Sequence, residues 1–515
     1  GSVSRNQLPF FAEKRYVGVV KSRKSVNLLG IDGPKNFLVP NSSFNNLKSG
    51  VMERLFFVQN GTCVPTQVNV SYFNKSVHAV TQKLLRRIPS GFRKLSDHEV
   101  VESYANKGES KKAKRYAKAS EDNHIDGGVQ YKHSERGTFI KTEYLAEGKV
   151  FRVVNPGHPR YELELGCYIK AIEKNLVGLV DSLFGEKTIA KSTNIMQTAE
   201  LIKMKCDKFG PLNFVAVSLD AKRWDQHFHR ECLKLEAKIY KKYFPNDAHL
   251  SKLLAWQLFP RGRSYVADGS ISWRQVGGRM SGDMNTGLGN CVVACLMIHG
   301  YMSSLGFTTK DYSLINNGDD CVLFMHIRDL DRINDIHSHF KEMGFDMVIE
   351  QPVRQVELVD FCQARPVLSE EGWIMSRNPI KMASLDHLTV KSITSKKSWD
   401  TQRSAVAMSG IACYAGLPLM SSFYDMLGRG SDPNTKAVER YIQSDWWLRH
   451  QSKMVRSRHI SEECRLSFYI AWGITPGEQI ALEQHYELFT PTWKLPNSNS
   501  NQIQKQIIYN NLNLH

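Results

Sequence analysis

The chain has 515 residues, of which 42% are hydrophobic and 23% charged, so its composition excludes a largely disordered protein. Its 68 Lys and Arg against 51 Asp and Glu leave a net charge of +17, which favours a polyanionic partner such as nucleic acid or an anionic membrane surface over a merely soluble basic protein. The longest apolar run, residues 291–298, is far shorter than the roughly 20 residues that cross a bilayer, so we expect no membrane span in this chain.

Two basic runs follow an N-terminal region in which short β-like stretches alternate with turns. Residues 81–94 interleave Lys and Arg with apolar side chains, and residues 107–118 carry a denser set that includes Lys112, Lys114 and Arg115. Such density suits contacts to nucleic-acid phosphates. A solvated helix face explains either run, taken alone, equally well.

A basic hairpin is predicted at residues 138–154. The pattern is a short strand, a turn at Glu147 and Gly148, and a second strand that ends before a Pro- and Gly-rich exit. Lys141, Lys149 and Arg152 fall on or beside this hairpin, where a cationic wall would meet a triphosphate. The alternative interpretation is an exposed hairpin with scattered basic residues.

The next feature is an acid at the end of a buried strand. After helical periodicity at residues 171–210, the apolar run 214–219 predicts a strand at the centre of a sheet, and Asp220 lies where that run ends. Asp225 follows five residues later. A carboxylate at the end of a buried strand is costly unless a metal ion or another cation compensates it.

An irregular, basic segment at residues 245–280 leads into a loop and then a helix predicted from about residue 285. Ser281 lies in the loop, and Thr286 and Asn290 share one face of the first two helical turns. Small polar side chains on that face of an otherwise apolar helix leave room for a ligand. Close helix packing through the two glycines of these turns is the competing interpretation.

The stretch SLINNGDDCVLF, residues 313–324, predicts a β-hairpin with two carboxylates at its tip. Two apolar arms flank a turn whose Asn and Gly tolerate the positive φ that a tight hairpin needs. Asp319 and Asp320 repel each other and lose solvation there, so we expect a hard divalent cation to hold them, with Asp220 as the third carboxylate. Taken alone, a Gly-Asp-Asp sequence is also typical of a solvated loop.

The remaining elements are predicted from weaker patterns. The sequence predicts a helix at 333–343, strands at 345–350 and 356–359, and further strands near 361–363 and 373–375 that continue the same sheet. From about residue 377 the composition becomes helical and basic. The Asn- and Gln-rich tail, residues 497–515, is expected to be ordered only in part.

Together these motifs resemble those of viral RNA-dependent RNA polymerases. SLDAKRWDQHF, GGRMSGDMNTGLGNC and NNGDDCVLF are similar to the motifs of the Tombusviridae and their carmovirus, umbravirus and luteovirus relatives, and NPGHPRYELELG resembles their basic fingers motif. The resemblance implies an α+β fold shaped as a closed right hand, with fingers, a palm made of an antiparallel sheet with flanking helices, and a helical thumb. The expected boundaries are 1–210 for the N-terminal region and fingers, 211–244 and 281–376 for the palm, 245–280 for a fingers insertion, and 377–515 for the thumb and tail.

The resemblance also implies the function: template-directed nucleotidyl transfer that replicates the genome of a positive-strand RNA plant virus, with primer-independent initiation. The expected cofactors are two Mg²⁺ ions, which Mn²⁺ can replace, and the substrates are nucleoside triphosphates. The implied roles are metal binding by Asp220, Asp319 and Asp320; ribose recognition by Asp225, Ser281, Thr286 and Asn290; triphosphate binding by Lys141, Lys149 and Arg152; proton donation by Lys341; and RNA binding by Arg160, Lys112, Lys114 and Arg115.

Expected partners are a single-stranded viral RNA template, the nascent RNA, an auxiliary viral replicase protein and host factors. The expected location is the host cytoplasm, in membrane-associated replication complexes that the protein joins through segments outside these residues.

Two alternative functions stay open. A reverse transcriptase is disfavoured because no aromatic residue precedes the hairpin acids and because Thr286 and Asn290 suit recognition of a 2′-hydroxyl. An RNA-binding scaffold with an inactive palm is disfavoured because all three acids are present.

Overall fold

Helices and strands are mixed along the chain, which confirms the expected α+β class. The computed structural model describes residues 9–31, 37–59, 62–64, 67–444 and 456–493. The helices are α1 (Phe44–Arg54), α2 (Val70–Arg87), α3 (Asp97–Ala105), α4 (Ser110–Ile125), α5 (Pro159–Phe184), α6 (Ile195–Asp207), α7 (Trp224–His227), α8 (Arg230–Tyr243), α9 (Ala248–Ala255), α10 (Thr286–Ser304), α11 (Ile336–Glu342), α12 (Pro379–Leu385), α13 (Lys396–Tyr414), α14 (Met420–Gly428), α15 (Thr435–Ser444), α16 (Glu462–Trp472) and α17 (Pro476–Leu488). The strands are β1 (Phe10–Arg15), β2 (Val26–Asn27), β3 (Phe57–Gln59), β4 (Thr62–Val64), β5 (Arg136–Gly137), β6 (Phe139–Ile140), β7 (Val153–Val154), β8 (Phe214–Ala221), β9 (Arg261–Val266), β10 (Gly269–Arg274), β11 (Tyr312–Asn317), β12 (Asp320–His326), β13 (Met347–Ile349), β14 (Ala364–Ser369), β15 (Gly372–Arg377) and β16 (Leu388–Thr389).

A four-stranded antiparallel sheet in the order β11-β12-β8-β13 carries the predicted acids. Successive residues of β8 face opposite sides of this sheet. Val215 and Val217 belong to one core with α5 and α10, whereas Phe214 and Ala216 belong to a second core with α6 and the β14–β15 hairpin. Because β8 is buried on both faces, its sequence is a nearly continuous apolar run, and this explains why the strand was recognisable.

A second sheet, in the order β1-β10-β9-β5, joins segments that are far apart in sequence. The expectation that residues 245–280 are irregular is wrong, because this segment contains α9 and the β9–β10 hairpin. β10 pairs with β1 near the N terminus, from Phe10 with Arg274 to Arg15 with Gly269. A partner so distant in sequence leaves no signal in the local pattern.

Three further expectations need correction. The helix expected from residue 171 begins at Pro159, because proline suits the first helical turn, where its missing N–H is not needed. Residues 356–359 contain a 3-10 turn, Val356–Leu358, instead of a strand. β14 and β15 pair with each other and do not continue the central sheet. Cys362 and Gln363, with φ of 53° and 60°, turn the chain away just before β14 begins.

The C-terminal part is mainly helical, as expected, and it contacts the N-terminal region. β16 pairs with β2. The backbone N–H of Leu28 donates to the carbonyl of His387 at 2.7 Å, and the indole Nε1 of Trp399 donates to the carbonyl of Asn27 at 3.3 Å. Residues 445–455 and 494–515 lie outside the described residues, and the second of these ranges includes the tail, 497–515, for which partial order was expected. No helix within the described ranges is long and apolar enough to cross a bilayer.

Substitution of Leu323 tests how much the buried side chains of the central sheet contribute to the free energy of unfolding. Leu323 is fully buried in β12, while Leu212 is 79% exposed. Leu323→Ala is expected to lower the free energy of unfolding by about 2–5 kcal/mol, since it removes buried methyl groups and leaves a cavity. The matched change Leu212→Ala is expected to have little effect. Urea unfolding followed by tryptophan fluorescence measures both, and equal shifts for the two variants would contradict this account of the core.

Candidate functional site

Three acidic residues lie at one end of the central sheet. β12 begins at Asp320, and the next residue, Cys321, pairs with Leu219 of β8. Continued by one residue, this antiparallel register sets Asp320 opposite Asp220, and residues paired in this way usually have Cα atoms about 5 Å apart. Asp319 lies in the turn immediately before β12. The structure thus brings together acids that are far apart in the sequence.

The tip of the β11–β12 hairpin is a two-residue turn, Gly318 and Asp319, between the paired residues Asn317 and Asp320. Gly318 has φ of 79°, a left-handed conformation that glycine adopts at the first position of a type II′ turn without steric cost. The buried side chain of Asn316 braces the turn, because its Nδ2 donates to the carbonyl of Gly318 at 2.7 Å. The predicted hairpin is confirmed, whereas the bracing role of Asn316 was missed although the residue belongs to the motif.

Desolvation and mutual repulsion act on these acids. Desolvation, followed by the charges of Asp319 and Asp220, raises the pKa of Asp320 to about 6. Desolvation and Asp220 also raise the pKa of Asp319. Burial, and then Asp360 and Asp220, raise the pKa of Glu350. The end of the sheet is therefore strongly negative, a state that a bound cation would relieve.

The chemistry of this donor set fits a hard divalent cation. The available ligands are carboxylate oxygens, which Mg²⁺ and Mn²⁺ accept. Within the ranges that the structure describes, no three His, Cys, Asp or Glu side chains are gathered into a formed metal-binding group. Ion binding would therefore require the side chains of Asp220, Asp319 and Asp320 to turn toward one another.

Two of the four predicted ribose contacts, Asp225 and Asn290, also lie together. The side chain of Asn290 lies next to the carboxylate of Asp225. Burial raises the pKa of Asp225 to about 6; Arg279 opposes this effect and Asp319 adds to it. Asp225 therefore lies within electrostatic reach of the acids at the hairpin tip.

The other two predicted ribose contacts, Ser281 and Thr286, engage the backbone of the loop that precedes α10. Thr286 Oγ1 donates to the carbonyl of Met280 at 2.6 Å. Ser281 Oγ accepts from the backbone N–H of Asn155 at 3.3 Å and remains exposed. In this structure both hydroxyls fix the loop; Ser281 is exposed and Thr286 is half-buried.

The basic hairpin is formed by β6 and β7, and the carboxylate of Glu143 pairs with two of its three predicted triphosphate ligands. Arg152 donates from Nε to Glu143 Oε1 at 2.7 Å and from Nη2 to Oε2. Lys141 Nζ lies 3.4 Å from Glu143 Oε2, and Lys149 is exposed at the turn. The hydrogen bond to Glu143 and the charge of Asp319 raise the pKa of Arg152, which indicates that the hairpin faces the acids.

The residues predicted to bind RNA fall into two groups. Lys112, Lys114 and Arg115 are exposed on α4. Arg160 is buried at the start of α5, where it donates to Asn123 Oδ1 at 2.6 Å, to Asp126 Oδ2 at 2.6 Å and to the carbonyl of Gly128 at 2.9 Å. This burial contradicts the assignment of Arg160 to RNA binding, because its donors are engaged in tying α5 to the end of α4.

Lys341, the predicted proton donor, is exposed on α11. α11 packs on β13, the strand that pairs with the Asp220 end of β8. The residue therefore lies on an element next to the acids. The structure describes no hydrogen bond or ion pair that directs its ammonium group toward them.

A buried ion pair behind Asp225 and Asn290 was missed by the sequence analysis. In the sequence, Arg279 is one of several basic residues in the segment 245–280, and nothing local distinguishes it from the others. In the structure it is buried and pairs with Glu236 of α8, with Nη2 2.6 Å from Oε2. The available signal was Glu236 itself, a charged residue on the apolar face of a helix, which is costly to bury unless it is paired.

Comparisons with known proteins agree on one family. A family model described as viral RNA dependent RNA polymerase matches residues 12–494. Among curated relatives, the RNA-directed RNA polymerase of Cymbidium ringspot virus is 34% identical over 482 residues, covering 91% of this chain and 56% of the relative. Those of tomato bushy stunt virus and turnip crinkle virus are 35% and 32% identical, covering 91% and 94% of this chain and 56% and 62% of their own lengths. The chain thus spans a little over half the length of these relatives.

The repulsion at the hairpin tip predicts an unusual pH dependence of stability. The pKa of Asp320 is about 6 in the folded protein, above the value of about 3.9 in an unfolded chain, so folding favours the protonated form and loses stability as pH rises through this interval. Asp320→Asn is therefore expected to raise the thermal unfolding midpoint at pH 8 in EDTA, with a gain that shrinks toward pH 4.5. The control Asp331→Asn, an exposed acid away from the tip, is expected to show no such trend. An Asp320→Asn gain that is independent of pH would contradict the assignment.

Proposed function

The chain belongs to the viral RNA-dependent RNA polymerase family, and from that membership we propose that it synthesises RNA on an RNA template by nucleotidyl transfer. The observation that carries the proposal is the meeting of Asp220, Asp319 and Asp320 at one end of an antiparallel sheet. In this reaction the 3′-hydroxyl of the growing strand attacks the α-phosphate of a nucleoside triphosphate, and pyrophosphate leaves. Positioning and charge stabilisation do most of the work, so no side-chain nucleophile is required.

Asp220, Asp319 and Asp320 are the residues that would hold two Mg²⁺ ions, or Mn²⁺ in their place. When bound, such ions lower the pKa of the attacking hydroxyl and neutralise the charge that develops on the leaving group. Because the pKa of Asp320 is about 6, its carboxylate is largely ionised at neutral pH and available to a cation. The β8–β12 pairing holds the backbones of Asp220 and Asp320 at a fixed spacing.

The basic hairpin would bind the triphosphate. The planar guanidinium of Arg152 matches phosphate geometry, and the ammonium groups of Lys141 and Lys149 add positive charge. Glu143 keeps Arg152 and Lys141 side by side, in an ion pair in which Arg152 is still 53% exposed. Glu143 is only 14% exposed, but the half-exposed guanidinium of Arg152 can be reached by phosphate oxygens from its solvent side.

Selection of ribonucleotides would rest on Asp225 and Asn290. The neighbouring Asn290 can occupy part of the acceptor capacity of the Asp225 carboxylate, which leaves lone pairs to accept the 2′-hydroxyl of an incoming ribose. Ser281 and Thr286 would complete this site from the loop before α10 after small rotations of their hydroxyls. A deoxyribonucleotide lacks the donor and would leave a partly buried carboxylate without its partner.

The right-hand architecture provides the frame for this chemistry. The palm would comprise 211–244 and 281–376, with fingers from 1–210 and 245–280 and a thumb from 377 onward. The second sheet supports this division, because it combines strands of 1–210 with strands of 245–280. The contacts of β2 with β16 support a closed hand. The exposed cations of α4, Lys112, Lys114 and Arg115, would contact template or nascent RNA.

Cellular context and two mechanistic details belong to the same proposal. The protein would replicate a positive-strand viral genome in the host cytoplasm, in membrane-associated complexes with an auxiliary viral protein and host factors, as membership of this family suggests. Initiation would be primer-independent, because the helical C-terminal part closes on the N-terminal region.

Lys341 would donate a proton to pyrophosphate, and loss of activity in Lys341→Ala, with Lys341→Arg retaining part of it, would support that role.

Asp319→Asn tests the central claim. Loss of this carboxylate is expected to lower RNA synthesis by several orders of magnitude, because a cation site is incomplete without it. The assay is template-directed extension by the purified protein with Mg²⁺ or Mn²⁺, on a linear RNA template with and without a primer. Asp331→Asn is the matched control and is expected to retain wild-type activity.

Each alternative predicts a different result in this assay. Wild-type protein that binds RNA tightly but never extends it would favour the scaffold interpretation. Preferential use of deoxynucleotides would favour a reverse transcriptase. Extension only from an annealed primer would remove primer-independent initiation and leave the polymerase assignment intact.

Arg152→Ala tests the triphosphate site. The change is expected to raise the KM for nucleoside triphosphates about 10- to 100-fold, since a charge-assisted hydrogen bond contributes about 1.5–3 kcal/mol. Arg328→Ala removes an exposed arginine beyond the far end of β12 and serves as the control. An unchanged KM with a reduced affinity for RNA would instead assign Arg152 to the template strand.

A further inference from the structure

The Arg279–Glu236 pair is sealed inside the protein directly behind the ribose site. The Arg279 and Glu236 side chains are 1% and 2% exposed, and 2.6 Å separates Nη2 from Oε2. The second oxygen of Glu236 accepts hydrogen bonds from Tyr240 Oη at 2.7 Å and from the amide of Asn285. The guanidinium also stacks on Phe228, with Cζ 3.9 Å from the ring centroid. Both charged groups are therefore held in one arrangement.

Arg279 determines which way the amide of Asn290 points. Its Nε donates to Asn290 Oδ1 at 2.8 Å, so the Nδ2 group of Asn290 faces away from the guanidinium. The end of the amide that Asn290 can then offer to the neighbouring Asp225 is a donor, which suits a carboxylate. If the amide were flipped, Nδ2 would meet the Nε donor of Arg279 and Oδ1 would meet the carboxylate of Asp225. Both contacts would be repulsive, and a buried arginine has no other protonation state to offer.

We propose that the Glu236–Arg279 pair is a positioning device for ribose selection, which fixes the amide of Asn290 so that Asp225 is presented to the 2′-hydroxyl. The inference rests on the proposed polymerase function. Neither Glu236 nor Arg279 touches the substrate in this scheme; they act through Asn290.

Glu236 has a second task, which is to neutralise Arg279. The backbone N–H of Arg279 already donates to the carbonyl of Asp225 at 2.8 Å, so the two residues are neighbours. One donor of the guanidinium, Nη1, is buried and has no hydrogen-bond partner in the part of the chain that the structure describes. Without Glu236 this cation would have Asp225 as its nearest counter-charge and would draw that carboxylate away from the ribose.

Helix α10 is shaped to accept this pair. A Cβ atom on Gly289, the residue before Asn290, would lie 2.3 Å from Glu236 Oε1 and 2.5 Å from Arg279 Nη2. Glycine is therefore required for the close approach of the pair to the helix backbone. The pair thus packs against the turn that carries Asn290, which makes the orientation of that amide sensitive to it.

The test compares kcat/KM for a ribonucleoside triphosphate and its 2′-deoxy analogue in Glu236→Gln and in wild type. The preference for ribonucleotide is expected to fall about 10- to 100-fold, mainly through slower use of the ribonucleotide. A merely structural effect would lower kcat/KM for the ribonucleotide and for the 2′-deoxy analogue by the same factor. Glu231→Gln on the same helix removes a carboxylate paired with surface lysine and is expected to leave the ratio unchanged.

A double-mutant cycle links the effect to Asn290. In an Asn290→Ala background, Glu236→Gln is expected to cause no further loss of preference, because the amide through which the pair acts is gone. Additive losses in the double mutant, or an unchanged ratio in Glu236→Gln, would overturn the inference while leaving the polymerase function in place. Wild-type protein that incorporates no nucleotide would instead defeat the proposed function itself.

Arg279→Lys covers the case in which Glu236→Gln fails to fold. Lysine keeps the charge beside Glu236 but lacks the planar fork that contacts Glu236 and Asn290 at once, so the same fall in preference is expected. Thermal unfolding of each variant establishes whether it folds. If neither variant folds, the pair is a stability element and the assignment to ribose selection is wrong.

Discussion

The electrostatic repulsion among Asp220, Asp319 and Asp320 is the constraint on which the rest of the site depends. Like charges would separate unless the backbone beneath them were fixed, and the β12–β8 register fixes it. A slip of one residue would turn the side chains of β12 to the opposite face and remove Asp320 from its place beside Asp220. The register is held because β8 and β12 bury apolar side chains on both faces of the sheet. Hydrophobic burial thus offsets an electrostatic cost that the chemistry needs.

Features with local causes could be predicted from the sequence. The hairpin tip followed from the conformational freedom of Gly318, and β8 from its apolar run, so two of the three acids were correctly set on a hairpin and the third at the end of a strand. Features that depend on partners distant in the sequence could not be predicted from it. Nothing near residues 245–280 indicates that β10 pairs with β1, and nothing near residue 362 indicates that β14 and β15 leave the central sheet. Arg160 illustrates the same limit, because its burial depends on acceptors in the preceding helix and loop.

Two buried ion pairs flank the beginning of α10 and explain how the loop before this helix can hold site residues in a defined position. Arg136 Nε lies 2.7 Å from Asp283 on one side, and Arg279 pairs with Glu236 on the other. Gln257 connects them, since its amide donates to both Asp283 and Asn285. Buried ion pairs add little net stability, because desolvation cancels much of their attraction, but an alternative loop conformation would leave a charge unpaired. The network therefore favours one conformation of the loop and of the residues on α10 that follow it.

The two arginine–glutamate pairs of the site differ in burial, and this difference suits them to opposite tasks. Arg152 and Glu143 form a bidentate pair in which the arginine is 53% and the glutamate 14% exposed, so phosphate can reach the guanidinium from solvent. Arg279 and Glu236 are 1% and 2% exposed, and any exchange of partners would leave a bare charge in the interior. An incoming triphosphate can thus bind Arg152 from the solvent side, whereas the ribose meets groups whose arrangement is already set. The same pair of residue types provides an adaptable contact for the charged end of the substrate and a rigid one for the end where a single hydroxyl must be recognised.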